Sequence, residues 1–465
     1  MSTTSTTRVG GGSRSLILTA MIFAVAMTFI DQTIVSIAAR TMQESLGLSS
    51  SGTQWAINAY LLIAIVVVTL DLHSRGRALA LFFGIAGALT AIGPIVGGFL
   101  IEWDWRSIFW INIPVALIAL ALIAISKPPN EARPAPMDYR GLALIVGGAG
   151  LSVFGFQQSA LWGWSDPAIW FSIAIGVALL VVFFAVEART DSPLINVRIF
   201  RNQAFLVENI ILGIATMAFI PVFFFTALYG QVALAEKATT SSLLILYFFA
   251  GFVICAQIGG RMLDRGGAKR PVVLGCALAA VGFGLWASRA TDLRVGAQVV
   301  YIVMAGAGMG LMLGQANTDA INRASRYSYG EATGITQTVR NYGASLGFAI
   351  LGTLLITRFR SAITASPTGQ GLSGPAASAQ AAKIAQLQGG SNVNVTAIPQ
   401  FIRADFATTT RDVLYGMCVI MAVAAFVALR GLRRGVQEDT ASAGDGLSEQ
   451  LPDEDPGAGL DPAWR

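Results

Sequence analysis

Charge is scarce in this chain. Only 12% of its 465 residues are Asp, Glu, Lys or Arg, while 54% are hydrophobic. Soluble domains carry about 25% charged residues, so a water-soluble fold of this length is excluded. Histidine occurs once, as His73, which argues against a histidine-built metal site. Cysteine occurs three times, as Cys255, Cys276 and Cys418, each inside an apolar run. Neither a disulfide framework nor a thiolate metal site is expected from such placement. No H-E-x-x-H and no Cys/His cluster is present, no nucleophile elbow is expected, and so no enzyme and no cofactor is expected. The net charge of +5 does not point to nucleic acid, because the bases sit at the ends of apolar runs, where they fix topology.

What the chain has instead is apolar runs of membrane length. Twelve candidate spans read at roughly 16–38, 55–70, 78–100, 108–126, 141–160, 168–186, 204–228, 241–260, 271–288, 295–314, 330–356 and 412–429. The pattern predicts an all-α, polytopic membrane protein. The short loops on one side hold 14 Lys and Arg, those on the other 5. Basic residues mark the cytoplasmic side, which predicts that both termini are cytoplasmic. The run after residue 15 is too long for a secretory h-region and is read as a retained helix. Residues 357–411 read as a Ser/Ala/Gly/Gln-rich external loop with an amphipathic stretch at 400–411, and 436–465 as a disordered acidic tail.

A few residues break the apolar pattern. Asp31 lies about 15 residues into the first span, roughly 22 Å along the axis. A carboxylate within a span marks function by default, and proton binding and release is the natural candidate; an acid simply reaching the outer interface is the bland alternative. Arg340 lies about 15 Å into its span and needs water, carbonyls or an acid around it; a structural ion pair and a substrate or proton-coupling role stand level. Glu208, near a cytoplasmic helix end, is a further proton or substrate candidate, against the simpler reading of a snorkelling acid. Gly306, Gly310 and Gly314, four apart, read as a packing stripe. Gly93 and Gly97 form a GxxxG pair that permits close approach, and Pro94 between them kinks its helix. The stretch "GRMLDRGGAKR" (Gly260–Arg270) reads as a tight cytoplasmic turn. Gly266 and Gly267 permit positive φ there. Asp264 is placed just ahead of the next helix, where the dipole favours an acid.

Several of these stretches carry a resemblance. The order of Gly260, Asp264, Arg265, Gly267, Lys269 and Arg270 resembles the cytoplasmic loop motif of the major facilitator superfamily. Gly93-Pro94 with Gly97-Gly98, in "GIAGALTAIGPIVGGFL", resembles the antiporter motif of drug:proton antiporters, and "WDWRSIFWINIP" follows it as in that family. "DQTIV" (from Asp31), "QWAINAYLL" (from Gln54) and "GEATGITQTVRNYGASLGFAILG" (from Gly330) resemble the first, second and thirteenth helices of the fourteen-helix branch; Arg40 departs from that pattern, where proline is frequent.

The resemblance implies a helix bundle of six, two central and six helices, with the loop motif acting as a cytoplasmic latch. Here the first half holds only four helices. The loop motif occurs once where the family pattern has it twice, and 55–70 looks like a hybrid of helices two and four. The implied organisation is a 1–15 cytoplasmic tail, a shortened N-terminal bundle at 16–126, a central pair at 127–203, a C-terminal six-helix bundle at 204–429 containing the 357–411 loop, and a 430–465 cytoplasmic tail. The implied function is proton-coupled efflux of drugs or antibiotics at the cell membrane. Its partners would be the bilayer, protons and a small lipophilic substrate, with cations among the candidates, and not nucleic acid. The alternative is a truncated relative that no longer transports and acts as a sensor, as a partner, or not at all.

Overall fold

The computed structural model describes scattered residues between Leu100 and Ile125, then 138–190, 193, 195, 197–324, 329–365, 400–432 and 435. Asp31, Gly93, Pro94, Gly97, Gly98, the hybrid span, the N-terminal tail and all of the C-terminal tail but 430–432 and 435 lie outside the described residues. Among the described residues there are helices and no strands. Eight of the helices are long and apolar enough to cross a membrane: α1 (Tyr139–Trp162), α2 (Pro167–Glu187), α3 (Gln203–Val232), α4 (Ala238–Gly266), α5 (Lys269–Arg289), α6 (Val295–Arg323), α7 (Tyr329–Ala365) and α8 (Gln400–Gly431). The last eight sequence-read spans fall on these eight helices in order.

Local chemistry sets the helix ends. Asp138 caps α1: its Oδ1 accepts from Arg140 N at 3.0 Å and Gly141 N at 2.9 Å, using two of the orphan donors of a helix start. The Gly141 N–H is the main reason that the Asp138 carboxyl is held below its ordinary value. Asp166 caps α2 by accepting from Ala168 N at 2.8 Å, with Pro167 at the first helical position. Gly163 (φ 83) ends α1, a conformation that glycine adopts without a Cβ clash.

α3 to α8 form two interleaved triplets. α3 packs against α7 and α8 of the other triplet, and α6 packs against α4 and α5. That exchange is what an inverted three-helix repeat gives. It requires close backbone approach. A Cβ on Gly306 would strike Phe248 O and one on Gly310 would strike Phe252 O. Gly343 and Gly347 of α7 lie likewise against Gly213 O and Met217 O of α3. The packing stripe is therefore real at Gly306 and Gly310. At Gly314 it is not, because a Cβ there would meet nothing within 4 Å. The letters Gly343-Ala344-Ser345-Leu346-Gly347 match the spacing of a nucleophile elbow, yet they lie mid-helix in α7, where no strand-to-helix turn can present the serine.

The core between α3 and α4 is aromatic. Phe219 stacks on Phe252 at 5.6 Å and Phe223 on Phe249 at 5.1 Å. A buried polar network closes the opposite end of α3 from Asn202. Tyr229 Oη donates to Ala290 O at 2.6 Å and accepts from Gln298 Nε2 at 2.7 Å, while Trp286 Nε1 donates to Gln298 Oε1 at 3.0 Å.

Three sequence expectations are corrected. The segment read as a loop at 357–411 is helical at both ends: α7 continues to Ala365, and α8 begins at Gln400, so the amphipathic stretch and the last span are one helix. Arg403 explains that start. Its Nε and Nη2 donate to Ala233 O at 2.9 Å and Leu234 O at 3.2 Å, covering carbonyls that α3 leaves unpaired at its end. α6 runs to Arg323 rather than ending at residue 314. In the charged turn, Asp264 belongs to the last turn of α4 and not to the start of α5, and only Gly267 (φ 77) takes the left-handed conformation. The Gly267 N–H closes α4 on Leu263 O at 2.9 Å.

Candidate functional site

Two positions with ionisable side chains inside the apolar bundle are candidate sites. The first lies between the N-terminal end of α3 and the C-terminal end of α6. Asn202 caps α3 by accepting from Ala204 N at 3.1 Å, and its Nδ2 donates to Arg323 O at 2.8 Å. It thereby ties the start of α3 to the end of α6. Glu208, nearly two turns into α3, is 0% exposed. The snorkelling reading fails, since the carboxylate points into protein. Asp319 and Arg323 of α6 are close enough to act on it electrostatically. Asp319 Oδ2 accepts from Arg323 Nε at 2.6 Å, an i,i+4 pair with side chains 7% and 17% exposed. Among the described residues neither Glu208 oxygen has a donor. Asp319 and Arg323 lie beyond residue 314, where the apolar run ends. Their i,i+4 spacing, which puts two side chains on one helix face, was the signal that the helix continues.

The second position is on α7. Arg340 Nη1 donates to Gln337 Oε1 at 3.4 Å, and Gln337 Nε2 donates to Asn341 Oδ1 at 3.0 Å. The buried Arg340 Nε has no partner. Among the described residues no carboxylate pairs with this guanidinium, so the ion-pair reading of Arg340 finds no support there. The structure does not bring Arg340 and Glu208 into contact.

The charged turn stands apart from both. Arg261, Asp264, Arg265 and Arg270 are exposed, Lys269 is half-buried and Gly267 is buried. No ion pair among the described residues engages these charges. Near the first bundle, Trp103 and Trp110 of "WDWRSIFWINIP" are 83% and 66% exposed, and Ser107 Oγ donates to Leu100 O at 3.0 Å.

Membrane-length helices that bury ionisable groups are the arrangement of a transport protein. Residues 64–348 match the family model of the Major Facilitator Superfamily, and the chain belongs to that superfamily. It is by family a multi-pass membrane transporter and not an enzyme. The chain is 26% identical over 407 residues to the "Tetracenomycin C resistance and export protein" of Streptomyces glaucescens, covering 73% of this chain and 76% of that one. It is 29% identical to the "Multidrug resistance protein Stp" and 31% identical to the "Multidrug resistance protein B homolog", both of Mycobacterium tuberculosis; each match covers 61% of this chain. The matches span about half the length of those two relatives, 53% and 54%. These relatives are the kin expected of the drug:proton antiporter branch. The 407 positions aligned with the Streptomyces protein occupy only 73% of this chain, so that relative carries residues this chain lacks.

Proposed function

We propose that the chain exports drugs or antibiotics across the cell membrane in exchange for protons, with both termini in the cytoplasm. The observation that carries this reading is Arg340. A guanidinium set among membrane-length helices, with no counter-ion among the described residues, is costly to keep and is retained where a ligand supplies acceptors. The drug-resistance relatives support drugs or antibiotics as the ligand class. Arg340, Gln337 and Asn341 offer donors in a row along α7. Such a site suits small lipophilic molecules bearing carbonyl, phenol or carboxylate oxygens better than lipophilic cations. Asp31, in the first span, is the coupling acid of this reading, and the charged turn at Gly260–Arg270 is a cytoplasmic latch.

The test is drug efflux from inside-out vesicles of an efflux-deficient bacterium, energised by a pH gradient. Arg340→Ala should reduce uptake into such vesicles at least tenfold at wild-type membrane levels. Asp31→Asn should abolish its dependence on the gradient. Asp264→Asn should slow turnover with drug affinity unchanged. Wild-type chain that neither binds nor moves any drug of a broad panel would favour the second reading, a shortened relative that does not transport. The residues it lacks beside the Streptomyces protein support that alternative.

A further inference from the structure

α7 is held from two sides by contacts of different kinds. On one side Gly343 and Gly347 lie against Gly213 O and Met217 O of α3. Backbone contacts of that kind set how near two helices come. On the other side α1 reaches α7 through hydroxyl groups. Ser152 Oγ and Tyr342 Oη are 2.9 Å apart. Ser159 Oγ and Thr353 Oγ1 are 3.2 Å apart, and Thr353 Oγ1 is also 3.2 Å from Phe156 O. A hydrogen bond needs direction as well as distance, so these bonds fix the rotation of α7 as well as its separation.

The direction of the first bond follows from its neighbours. Ser152 Oγ donates its one hydrogen to Ala149 O at 2.9 Å, so Tyr342 Oη is the donor and Ser152 accepts. Ser152 is fully buried, and its backbone N lies against Gly176 of α2. Contact therefore runs from Gly176 through Ser152 to Tyr342, from the central pair into the C-terminal half. Tyr342 lies two residues after Arg340. At about 100° per residue, the two side chains leave α7 on nearly opposite faces. Whatever holds Tyr342 against α1 aims Arg340 away from it.

We propose that Tyr342 is a positioning residue for drug recognition. Its bond to Ser152 makes the central pair a backstop that sets the rotation of α7, and with it the direction of Arg340, Gln337 and Asn341. A roll of about 20° at a side-chain radius of about 5–6 Å carries the guanidinium about 2 Å, enough to break a hydrogen bond of ordinary length. The central pair thus acts on the drug through α7, without touching it. The positioning role rests on Arg340 as the drug contact proposed above; the backstop does not.

Gly334→Cys supplies a readout that needs no drug. Gly334 lies three residues before Gln337 and seven before Asn341, on one face of the helix, and a Cβ there meets nothing within 4 Å. The rate at which this cysteine reacts with a water-soluble maleimide is measured in the purified full chain, with the chain lacking it as blank. Adding Tyr342→Phe or Ser152→Ala should change that rate about threefold, the factor that one interhelical hydrogen bond carries in a membrane. The two together should do no more than either alone. Ser152→Thr, which keeps the acceptor, should leave the rate as in the wild type. A rate unchanged by Tyr342→Phe and Ser152→Ala would overturn the backstop.

The second arm is drug efflux in vesicles. Tyr342→Phe should raise KM about threefold with kcat and Tm unchanged, whereas a merely structural residue would lower Tm and the amount of active protein and leave KM alone. In an Arg340→Ala background, Tyr342→Phe should raise KM no further. The full threefold effect in that background would show that Tyr342 acts without Arg340 and would overturn the positioning role. A wild-type KM in Arg340→Ala, or a wild type that moves no drug, would refute the drug site and the positioning role with it. The maleimide rates would still decide the backstop.

Discussion

The central pair and the C-terminal half are built from similarly apolar helices, yet they bury them differently. α2 leaves Trp170, Phe171, Ile175 and Val181 between 50% and 67% exposed, a face suited to lipid. It buries chiefly Ile169, Gly176 and Phe183 against α1. α3 buries almost its whole circumference, from Phe205 to Tyr229. Lipid tails are as apolar as leucine, so apolarity alone does not draw helices together. Close backbone contact and satisfied polar groups do. The C-terminal half has both in depth. The central pair has its own glycine contact, Gly176 against Gly148 O and Ser152 N, and hydroxyl bonds to α7: Ser152 Oγ with Tyr342 Oη at 2.9 Å, Ser159 Oγ with Thr353 Oγ1 at 3.2 Å, and Thr353 Oγ1 donating to Phe156 O at 3.2 Å.

If that contrast is right, substitutions should hurt in a definite order. Gly310→Leu drives a side chain into the Phe252 carbonyl and should destabilise the C-terminal half by about 3 kcal/mol. Gly314→Leu, in the same stripe with open space, should be close to neutral. Thermal unfolding followed by size-exclusion chromatography in detergent separates the two, and equal losses would refute the interleaved packing. Tyr229→Phe strands Gln298 and Ala290 O inside protein and should cost about 2 kcal/mol, read as a lowered Tm with intact expression. Ser152→Ala should cost only about 0.6 kcal/mol, the usual worth of an interhelical hydrogen bond in a membrane. A loss as large as that of Tyr229→Phe would mean that the central pair is anchored as firmly as the half itself. The smallest effect expected is that of pH at Asp138. Its carboxyl is lowered in the folded chain by the Gly141 and Arg140 N–H groups and by charge. Its contribution is therefore present above the ordinary value of 3.8 and is lost as pH falls through the lower folded value. Protease nicking near Tyr139 should rise in that acid window, and Asp138→Ala should show the same nicking at neutral pH.

The helix order was legible because an apolar run of membrane length has few other uses. The ends were less so. Hydropathy stops α6 at residue 314, but a helix does not end where lipid does. Asp319 and Arg323 continue it for two more turns because each finds a partner in protein. Glu208 was singled out as an unusual acid, but its burial depended on Asp319, which no local pattern around Glu208 announces. Arg403 is similar: its purpose is the α3 carbonyls, about 170 residues earlier in the chain. Such long-range pairings are invisible to periodicity, which reads one helix at a time.

The exchange of α3 and α6 between the two triplets also constrains how the protein is made. α3 leaves the ribosome first of the six, carrying Glu208 and Asn209, which are both buried in the finished protein. Asp319 and Arg323 are synthesised more than 100 residues later, and α7 and α8, which cover the rest of α3, later still. At 5–20 residues per second, α3 waits several seconds in the membrane with its acid uncovered by its final neighbours. The insertion machinery, and not the bilayer, has to shelter it during that interval. A chain interrupted before α6 would present an unpaired carboxylate in a span, the kind of defect by which a cell can recognise an unfinished membrane protein.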